Sequence, residues 1–185
     1  NLGGTFAGIG NLSDTTTGTL KAAGATYTIS GSNTGSVTNL SGTFAGMANL
    51  SDTTTGTLVA SGATYTLSGS NTGSVTNLGG TFAGMANLSD TGPTGVLKTS
   101  GGTWTTTGVR TGSVTNLTGT FAGMASLSDT GSTGTLVGTG NTYTITGANA
   151  GSSTNVTGTF AGMTNISDTT TGTLVATGAT YTIAG

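Results

Sequence analysis

The sequence predicts an all-β protein folded as a parallel β-solenoid, and three observations support this prediction. Of the 185 residues, 36 are glycine and only 32% are apolar, so an ordinary globular core of large side chains cannot form. The segments between the glycines are rich in threonine, valine, tyrosine and phenylalanine, which favour strands. The sequence also repeats itself along its length, as solenoids do. Helices are not expected, because no apolar stripe with a helical period is present.

A repeat of 38 or 39 residues divides the chain into five units. The second unit reads NLSGTFAGMANLSDTTTGTLVASGATYTLSGSNTGSVT, and similar segments begin at Asn1, Asn77, Asn116 and Asn155. The units therefore cover residues 1–38, 39–76, 77–115, 116–154 and 155–185. We interpret them as one solenoid domain that is a segment of a longer chain or filament. An extra residue beside Pro93 in the third unit indicates a turn that faces solvent.

Each unit also contains a weaker half-repeat, because GTLVASGATY aligns with GSVTNLGGTF. The alignment gives each half one aromatic residue, in a column of Phe6, Tyr27, Phe44, Tyr65, Phe82, Trp104, Phe121, Tyr143, Phe160 and Tyr181. A half is long enough for one coil, so we predict two coils per unit and roughly ten coils in total, about 4.8 Å apart. One wide coil per unit, or a pair of antiparallel hairpins, is the alternative geometry.

The alternation of side chains along a strand assigns them to faces. Tyr65 and Leu67 are expected to point inward, and Thr64 and Thr66 toward solvent. Apolar residues that step by three predict a bend at Gly46. They form two core columns, Ile9, Met47, Met85, Met124 and Met163, and Leu12, Leu50, Leu88, Leu127 and Ile166. Three glycine columns, which begin at Gly18, Gly24 and Gly31 and recur once per unit, are expected at corners with positive φ.

The composition also limits the possible chemistry. The formal net charge is −2, with Lys21, Lys98 and Arg110 as the only basic residues, which excludes the basic surface of a nucleic-acid binder. No apolar run is long enough to cross a bilayer. Histidine, cysteine and glutamate are absent, so the usual catalytic and zinc-binding sets lack their residues. We therefore expect no enzymatic activity, no catalytic or cofactor site, and no nucleic-acid or membrane-inserted partner.

One aspartate recurs in each unit, within the motif LSDT. These residues are Asp14, Asp52, Asp90, Asp129 and Asp168. Their carboxylates could bind calcium together with hydroxyl oxygens, or each could cap a turn by accepting backbone N–H groups. We favour the turn, because a single carboxylate is a poor ligand set for calcium, and we predict no cofactor.

Asparagines recur in the same way, and several fit the glycosylation pattern Asn-x-Ser/Thr. These are Asn11, Asn39, Asn49, Asn87, Asn116, Asn155 and Asn165. We favour a column of amides that stabilises turns over glycosylation, because the positions repeat with the fold.

Threonines flank the aromatic residues and suggest a possible binding surface. The pairs are Thr26/Thr28, Thr64/Thr66, Thr103/Thr105, Thr142/Thr144 and Thr180/Thr182. Regular Thr-x-Thr rows are typical of ice-binding solenoids, but the halves between these pairs read Thr-Phe-Ala. The first threonine is therefore expected to form an unbroken outer row, and the second to alternate with alanine. Exposed strands favour threonine in any case.

The segment TYTITGANAGSSTNVTGTFAGMTNISD, from Thr142 to Asp168, resembles repeats of very large bacterial surface adhesins and filamentous-haemagglutinin-like exoproteins. The resemblance covers all five units. It implies export, a right-handed parallel β-solenoid, and a stalk or filament that presents adhesive regions away from the cell. Those proteins often continue Asn-Leu with a calcium-type motif, Gly-Gly-x-Gly-x-Asp. This chain has NLSDTTTG instead, which argues against a calcium role.

The leading hypothesis is an extracellular structural or adhesive fibre on a bacterial surface. Its expected partners are further copies of itself, joined end to end or laterally, together with surfaces or glycans. The alternatives are an ice-binding or carbohydrate-binding solenoid and a segment of a phage tail fibre.

Overall fold

The computed structural model describes residues 7–180, and within that range the chain forms strands and turns but no helix. The strands are β1 (Leu12–Ala22), β2 (Thr26–Gly31), β3 (Thr34–Val37), β4 (Phe44–Ala60), β5 (Thr64–Gly69), β6 (Thr72–Val75), β7 (Phe82–Asp90), β8 (Gly95–Thr99), β9 (Thr103–Gly108), β10 (Thr111–Val114), β11 (Phe121–Ala122), β12 (Met124–Asp129), β13 (Gly134–Gly138), β14 (Thr142–Gly147), β15 (Ala150–Ser153), β16 (Val156–Ala161), β17 (Met163–Asp168) and β18 (Thr173–Ala176). The described part of the chain accordingly offers no helix that could span a membrane. The predictions for Phe6, Tyr181 and Thr182 lie outside the described residues.

The predicted class is confirmed, because the chain is a mainly parallel β-solenoid of about five turns. Two of its hydrogen-bonded ladders contain four strands each. In the first ladder, the core residues of successive strands are Tyr27, Leu58, Leu88 and Phe121. In the second ladder, they are Tyr65, Leu97, Leu127 and Phe160. The long strands β4 and β7 each take part in two ladders, because Leu50 pairs with Phe82 and Leu58 pairs with Leu88.

The prediction of two coils per unit, and of about ten in total, is wrong. The half of the unit that follows the tyrosine folds back as an antiparallel hairpin, so that Tyr65 lies beside Val75. The loop between Gly69 and Thr72 has only two residues, and Asn71 in it has a φ of 54°. Tight hairpin loops require such positive φ angles, which asparagine tolerates. Each unit therefore combines one solenoid turn with one hairpin.

The ladders interlock the units. Tyr27, Leu58, Leu88 and Phe121 are neighbours in one ladder but belong to the first, second, third and fourth units. The predicted continuous column of aromatic rings is therefore also wrong, because two leucines separate each tyrosine from the phenylalanine three units later. In a simple solenoid a repeat contacts only its nearest neighbours. Here each interior unit bonds to units two positions away as well.

The buried apolar side chains of the described residues form a single core. Tyr65 and Leu67 are buried, whereas Thr64 and Thr66 are partly exposed, so the predicted faces are confirmed. The core columns are also confirmed in the interior, where Met85 and Leu88 are at most 1% exposed. They fail at the ends: Leu12 and Ile166 are only partly buried, and Ile9 is 47% exposed. The physical reason is that the end strands lack a further strand to cover them.

Glycine has two different roles in the turns. Gly62 and its equivalents turn corners with positive φ, as predicted, and so does Gly46, with a φ of 71°. The columns of Gly18 and Gly31 do not have positive φ, which corrects the prediction for them. At Gly56 the reason is space, because a Cβ atom would lie 2.6 Å from Asp52 Cβ and 2.9 Å from Met85 Sδ.

Candidate functional site

The recurring aspartates bind backbone N–H groups of the preceding unit. Asp52 Oδ1 accepts hydrogen bonds of 2.9 Å from Gly24 N and from Thr54 N, and Asp52 Oδ2 accepts one of 2.9 Å from Ala25 N. Asp90 makes the equivalent bonds to Gly62, Ala63 and Gly92. Asp52, Asp90 and Asp129 are 3–6% exposed. Each carboxylate thus fastens a corner of one unit to the strand of the next.

These hydrogen bonds favour the ionised carboxylates of Asp52 and Asp168. Burial opposes ionisation of Asp52, but the N–H groups of Ala25, Thr54 and Gly24 more than offset it, so the pKa of Asp52 is lowered. The pKa of Asp168 is lowered chiefly by Asn141 N–H, with help from the Tyr143 hydroxyl. Asp14 differs in its bonding, because within residues 7–180 its carboxylate accepts hydrogen bonds from Thr16 of its own unit.

The sequence predicts that each aspartate caps a turn by accepting backbone N–H groups, and the hydrogen bonds of Asp52 and Asp90 agree with this prediction. No group of three or more His, Cys, Asp or Glu side chains able to hold a metal ion occurs among residues 7–180. The expected lack of a cofactor stays a prediction, and a calcium ion at this position would have to compete with the N–H donors for the same oxygens.

The core tyrosines are polar anchors beside these turns. The Tyr65 hydroxyl donates a hydrogen bond of 2.6 Å to the Ser89 carbonyl oxygen, and Tyr27 donates one of 2.7 Å to Ser51. Burial, with a smaller contribution from the nearby Asp52 charge, raises the pKa of Tyr27 to about 12. Sequence reasoning placed these rings in the core but missed the role of their hydroxyls.

The predicted amide column is present. Asn49 Oδ1 accepts a hydrogen bond of 3.0 Å from Thr81 N in the following unit, and Asn11 and Asn87 do the same for Thr43 and Thr120. Ser126 Oγ replaces the amide in the fourth unit, at 3.1 Å from Thr159 N. The amide oxygens of Asn11, Asn49 and Asn87 therefore link successive units. Glycosylation stays the less favoured interpretation of the recurring asparagines.

The hairpin asparagines form a second set of links that the sequence interpretation missed. Asn33 Oδ1 accepts a hydrogen bond of 2.6 Å from Gly79 N, and Asn71 Oδ1 accepts one of 2.9 Å from Thr118 N. Each of these bonds joins units two positions apart. The recurring Ser-Asn pair, Ser32-Asn33 and Ser70-Asn71, is the sequence feature that could have indicated these hairpin loops.

The threonine rows are interrupted, which corrects the prediction of an unbroken outer row. Thr64 lies beside Val96, and Val96 lies beside Ser126. In the neighbouring row, Thr66 lies beside Lys98. The reason is the interlocked register: the strand beside a Thr-aromatic-Thr strand comes from the Thr-Leu-Val segment of the next unit. The exposed rows thus contain threonine, valine, serine and lysine.

The third unit has a coordinated change in its core. Trp104, Gly102 and Thr106 stand where the second unit has Tyr65, Ala63 and Leu67. A Cβ atom on Gly102 would lie 2.8 Å from Thr99 Cγ2 and 3.2 Å from Trp104 Nε1, so the small residue makes room for the indole. Within residues 7–180 the buried indole nitrogen meets no hydrogen-bond partner. In the same unit, Arg110 Nη2 donates to the carbonyl oxygens of Gly92 and Gly123.

Comparison with known proteins gives no relative: no family model, no curated protein and no solved structure matches the chain. The class that the fold defines is a β-solenoid whose units are fastened by aspartate, asparagine and hairpin links.

Proposed function

We propose that the protein is a structural element of an extracellular fibre, a stalk or filament on a bacterial surface that can carry adhesive regions. The interlocked ladders are the observation that carries this proposal. Each unit is bonded to units up to two positions away, through β-strand pairing and through the side chains of Asp90 and Asn71. A unit cannot be separated from the rod without breaking bonds to several others.

The geometry is better suited to building a long rod than to binding a specific ligand. Each strand adds about 4.8 Å along the rod, and identical units can extend the ladders without any change of register. The polar side chains that recur most regularly, the aspartates and asparagines, are largely occupied by backbone N–H groups. A near-neutral surface rich in hydroxyl groups is compatible with repeated lateral contacts between fibres or with glycans.

Labelling of the source cells tests this proposal. Antibodies raised against the 185-residue chain should decorate extended material outside the cell in immunogold electron microscopy. Antibody absorbed with the purified chain serves as the control and should give no label. Label confined to the cell interior would contradict the proposal.

Ice binding is less well supported than fibre formation. Ice-binding surfaces need regular rows, whereas Val96 and Lys98 interrupt the threonine rows here. We expect the purified chain to cause no thermal hysteresis, and a clear hysteresis gap would favour this alternative.

A further inference from the structure

The strand pairings build two sheets, which the long strands β4 and β7 join. In one sheet, the hairpin β5–β6 lies between β7 and β8, and the hairpin β14–β15 lies between β16 and β18. In the other sheet, the hairpin β2–β3 lies between two segments of β4, and the hairpin β9–β10 lies between β11 and β13. The hairpins of even-numbered units therefore belong to one sheet, and those of odd-numbered units to the other.

This alternation places both lysines on the same sheet. Lys21 and Lys98 occupy equivalent positions in the first and third units, each directly after a buried leucine. Lys21 lies beside Ser51, and Lys98 lies beside Thr66, in the sheet that contains β5 and β6. Because neighbouring side chains of a strand point to opposite faces, both lysines point away from the core. We call this outer surface the lysine face, and it includes Lys21, Ser51, Thr66, Lys98 and Ser128.

Valine replaces lysine on the other sheet. Val59 and Val137 occupy the same repeat position in the second and fourth units. Val59 lies beside Thr28, and Val137 lies beside Thr105, and all four side chains are partly exposed. We call the outer surface of this sheet the neutral face, and it includes Thr28, Val59, Ser89, Ala122, Thr105 and Val137.

The other charged side chains of the described residues do not lie on the neutral face. Each aspartate lies at a corner, where its carboxylate accepts at least one backbone N–H group. Arg110 lies in the loop of the hairpin β9–β10, and its Nη2 donates to the carbonyl oxygens of Gly92 and Gly123. The neutral face therefore presents uncharged side chains, mostly hydroxyl-bearing or short and aliphatic, whereas the lysine face carries both ammonium groups.

The neutral face is large enough for a stable contact between proteins. In residues 7–180 its sheet contains eleven paired strand segments. At about 4.8 Å per strand they span about 48 Å, and about five residues per segment give a width of about 16 Å. The resulting surface of roughly 800 Å² matches what each partner contributes to an interface of standard size.

The side chains of the neutral face suit the packing of one sheet on another. Short, uncharged side chains allow two sheets to approach closely and interdigitate in a dry interface, and two sheets of the same twist pack with their strands nearly aligned. A lysine on an exposed sheet prevents such association, because its ammonium group would have to be desolvated. Lys21 and Lys98 therefore protect one face, while the equivalent valines leave the other face open.

We propose that the neutral face binds the neutral face of a second copy of this chain, so that two rods pair side by side. The same surface serves both partners, so the contact is isologous and closes on itself. The lysine faces then lie on the outside of the pair and oppose the addition of further copies. This inference rests on the proposed function, since it names the surface through which fibres of this protein would contact one another laterally.

A charge on the neutral face should separate the paired rods. Val59→Lys combined with Val137→Lys introduces the residue that the repeat itself carries in the first and third units, so the fold should be kept, as circular dichroism can check. Small-angle X-ray scattering should give a paired-rod cross-section for the parent chain and a single-rod cross-section for the variant. Because like charges would meet across the contact, sedimentation equilibrium should show pairing weakened by at least about tenfold.

The matched control places the same charges on the lysine face. Val96→Lys combined with Val175→Lys adds two lysines on that face, because Val96 lies beside Thr64 and Val175 lies beside Thr144. This variant has the same net charge as the first and should pair like the parent. Equal weakening by both variants would show that general charge repulsion, rather than the neutral face, controls association.

Removal of the native lysines tests the protective role of the lysine face. Lys21→Val combined with Lys98→Val makes the two faces alike in charge. Pairs should then stack further, so that the scattering cross-section grows beyond that of two rods. An unchanged cross-section would contradict the role assigned to Lys21 and Lys98.

The cross-section separates lateral pairing from other associations. Joining of rods end to end would lengthen them without widening them, so a parent chain that keeps a single-rod cross-section up to its solubility limit would overturn the proposal. Single rods that bind an insoluble polysaccharide, and lose that binding in the Val59→Lys and Val137→Lys variant, would overturn it in favour of a glycan as the occupant.

The outcome is independent of immunogold labelling. Single rods from a chain found in surface fibres would reject the lateral contact alone. Paired rods from a chain found inside the cell would reject the extracellular location alone.

Discussion

Asp90 Oδ1 accepts a hydrogen bond of 2.9 Å from the backbone N–H of Gly62, 28 residues earlier in the chain. The same carboxylate also binds Ala63 N–H at 2.8 Å. The pair shows how this protein compensates for its lack of bulky apolar residues. A buried carboxylate on one unit accepts hydrogen bonds from the backbone N–H groups at a corner of another unit. Hydrogen bonds to charged groups are stronger than those between neutral groups.

Removing this carboxylate should destabilise the whole rod. Asp90→Ala leaves the N–H groups of Gly62, Ala63 and Gly92 without their acceptor, and we expect a loss of about 3 kcal/mol in the free energy of unfolding. Asp14→Ala is the control, because the hydrogen bonds of Asp14 within the described residues stay inside its own unit, and its effect should be much smaller. Urea unfolding followed by circular dichroism measures both. Equal losses for the two variants would contradict the role of the link between units.

Acid should weaken the fold through the same groups. The pKa values of Asp52, Asp129 and Asp168 are lowered below the ordinary value of 3.8. A lowered pKa in the folded state means that the stabilisation is complete above the pKa of the unfolded chain and is lost as pH falls through the folded pKa. The urea midpoint should therefore be constant from neutral pH to just above 4 and fall below it. A midpoint that rises on acidification would contradict this assignment.

Alkali should act through the buried tyrosines. Burial raises the pKa of Tyr27 from 10.0 to about 12, and the pKa of Tyr143 also rises to about 12. The stabilisation from a raised pKa is complete below 10 and is lost as pH rises through the folded value. Tyrosinate absorbance should show delayed ionisation that coincides with unfolding. Ionisation at the ordinary pKa without loss of structure would show that the hydroxyls are not buried.

The hairpin leaves no space for a side chain at Gly73. A Cβ atom there would overlap the Thr66 carbonyl oxygen and lie 2.9 Å from Phe82 Cζ. We expect Gly73→Ala to cost about 3 kcal/mol or to prevent folding. Gly147→Ala is the matched control, since no atom lies within 4 Å of a Cβ atom at that position. Urea unfolding of the two variants compares them, and a tolerated alanine at residue 73 would mean that the hairpin packs differently.

The substitutions in the third unit should be strongly coupled. Gly102→Ala alone crowds Trp104 and should destabilise the chain by about 1–3 kcal/mol. Combined with Thr99→Ala, Trp104→Tyr and Thr106→Leu, which restore the second unit's residues at these positions, the same change should become neutral or stabilising. A multiple-mutant cycle of unfolding free energies measures the coupling. If the changes in unfolding free energy were additive, the side chains at these positions would be packed independently of one another.

Much of the fold could be predicted from local patterns. The alternation around Tyr65 assigned its neighbours to the correct faces, and the step of three residues located the bend at Gly46. The predicted turn role of the aspartates also agrees with the hydrogen bonds of Asp52. These features depend on residues close together in the chain, where propensity and periodicity act directly.

The half-repeat misled the coil count because similar sequences need not occupy equivalent strands. The segments around Tyr65 and Phe82 align well, yet one begins a hairpin and the other ends a parallel ladder. The difference lies in the two-residue loop at Asn71, whose positive φ reverses the chain. The two-residue loop at Asn71 therefore decided the strand arrangement, although the half-repeat alignment extends over a longer stretch of sequence.

The sequence by itself determined the all-β class, the five units and the inward position of the aromatic rings, because these follow from composition and from the alternation of side chains. Only the tertiary structure decided which units are neighbours. Leu88 lies between Leu58 and Phe121, residues of the preceding and following units, because the hairpins return the chain before the next strand begins. Register between distant strands depends on the packing of the whole ladder, and no local segment encodes it.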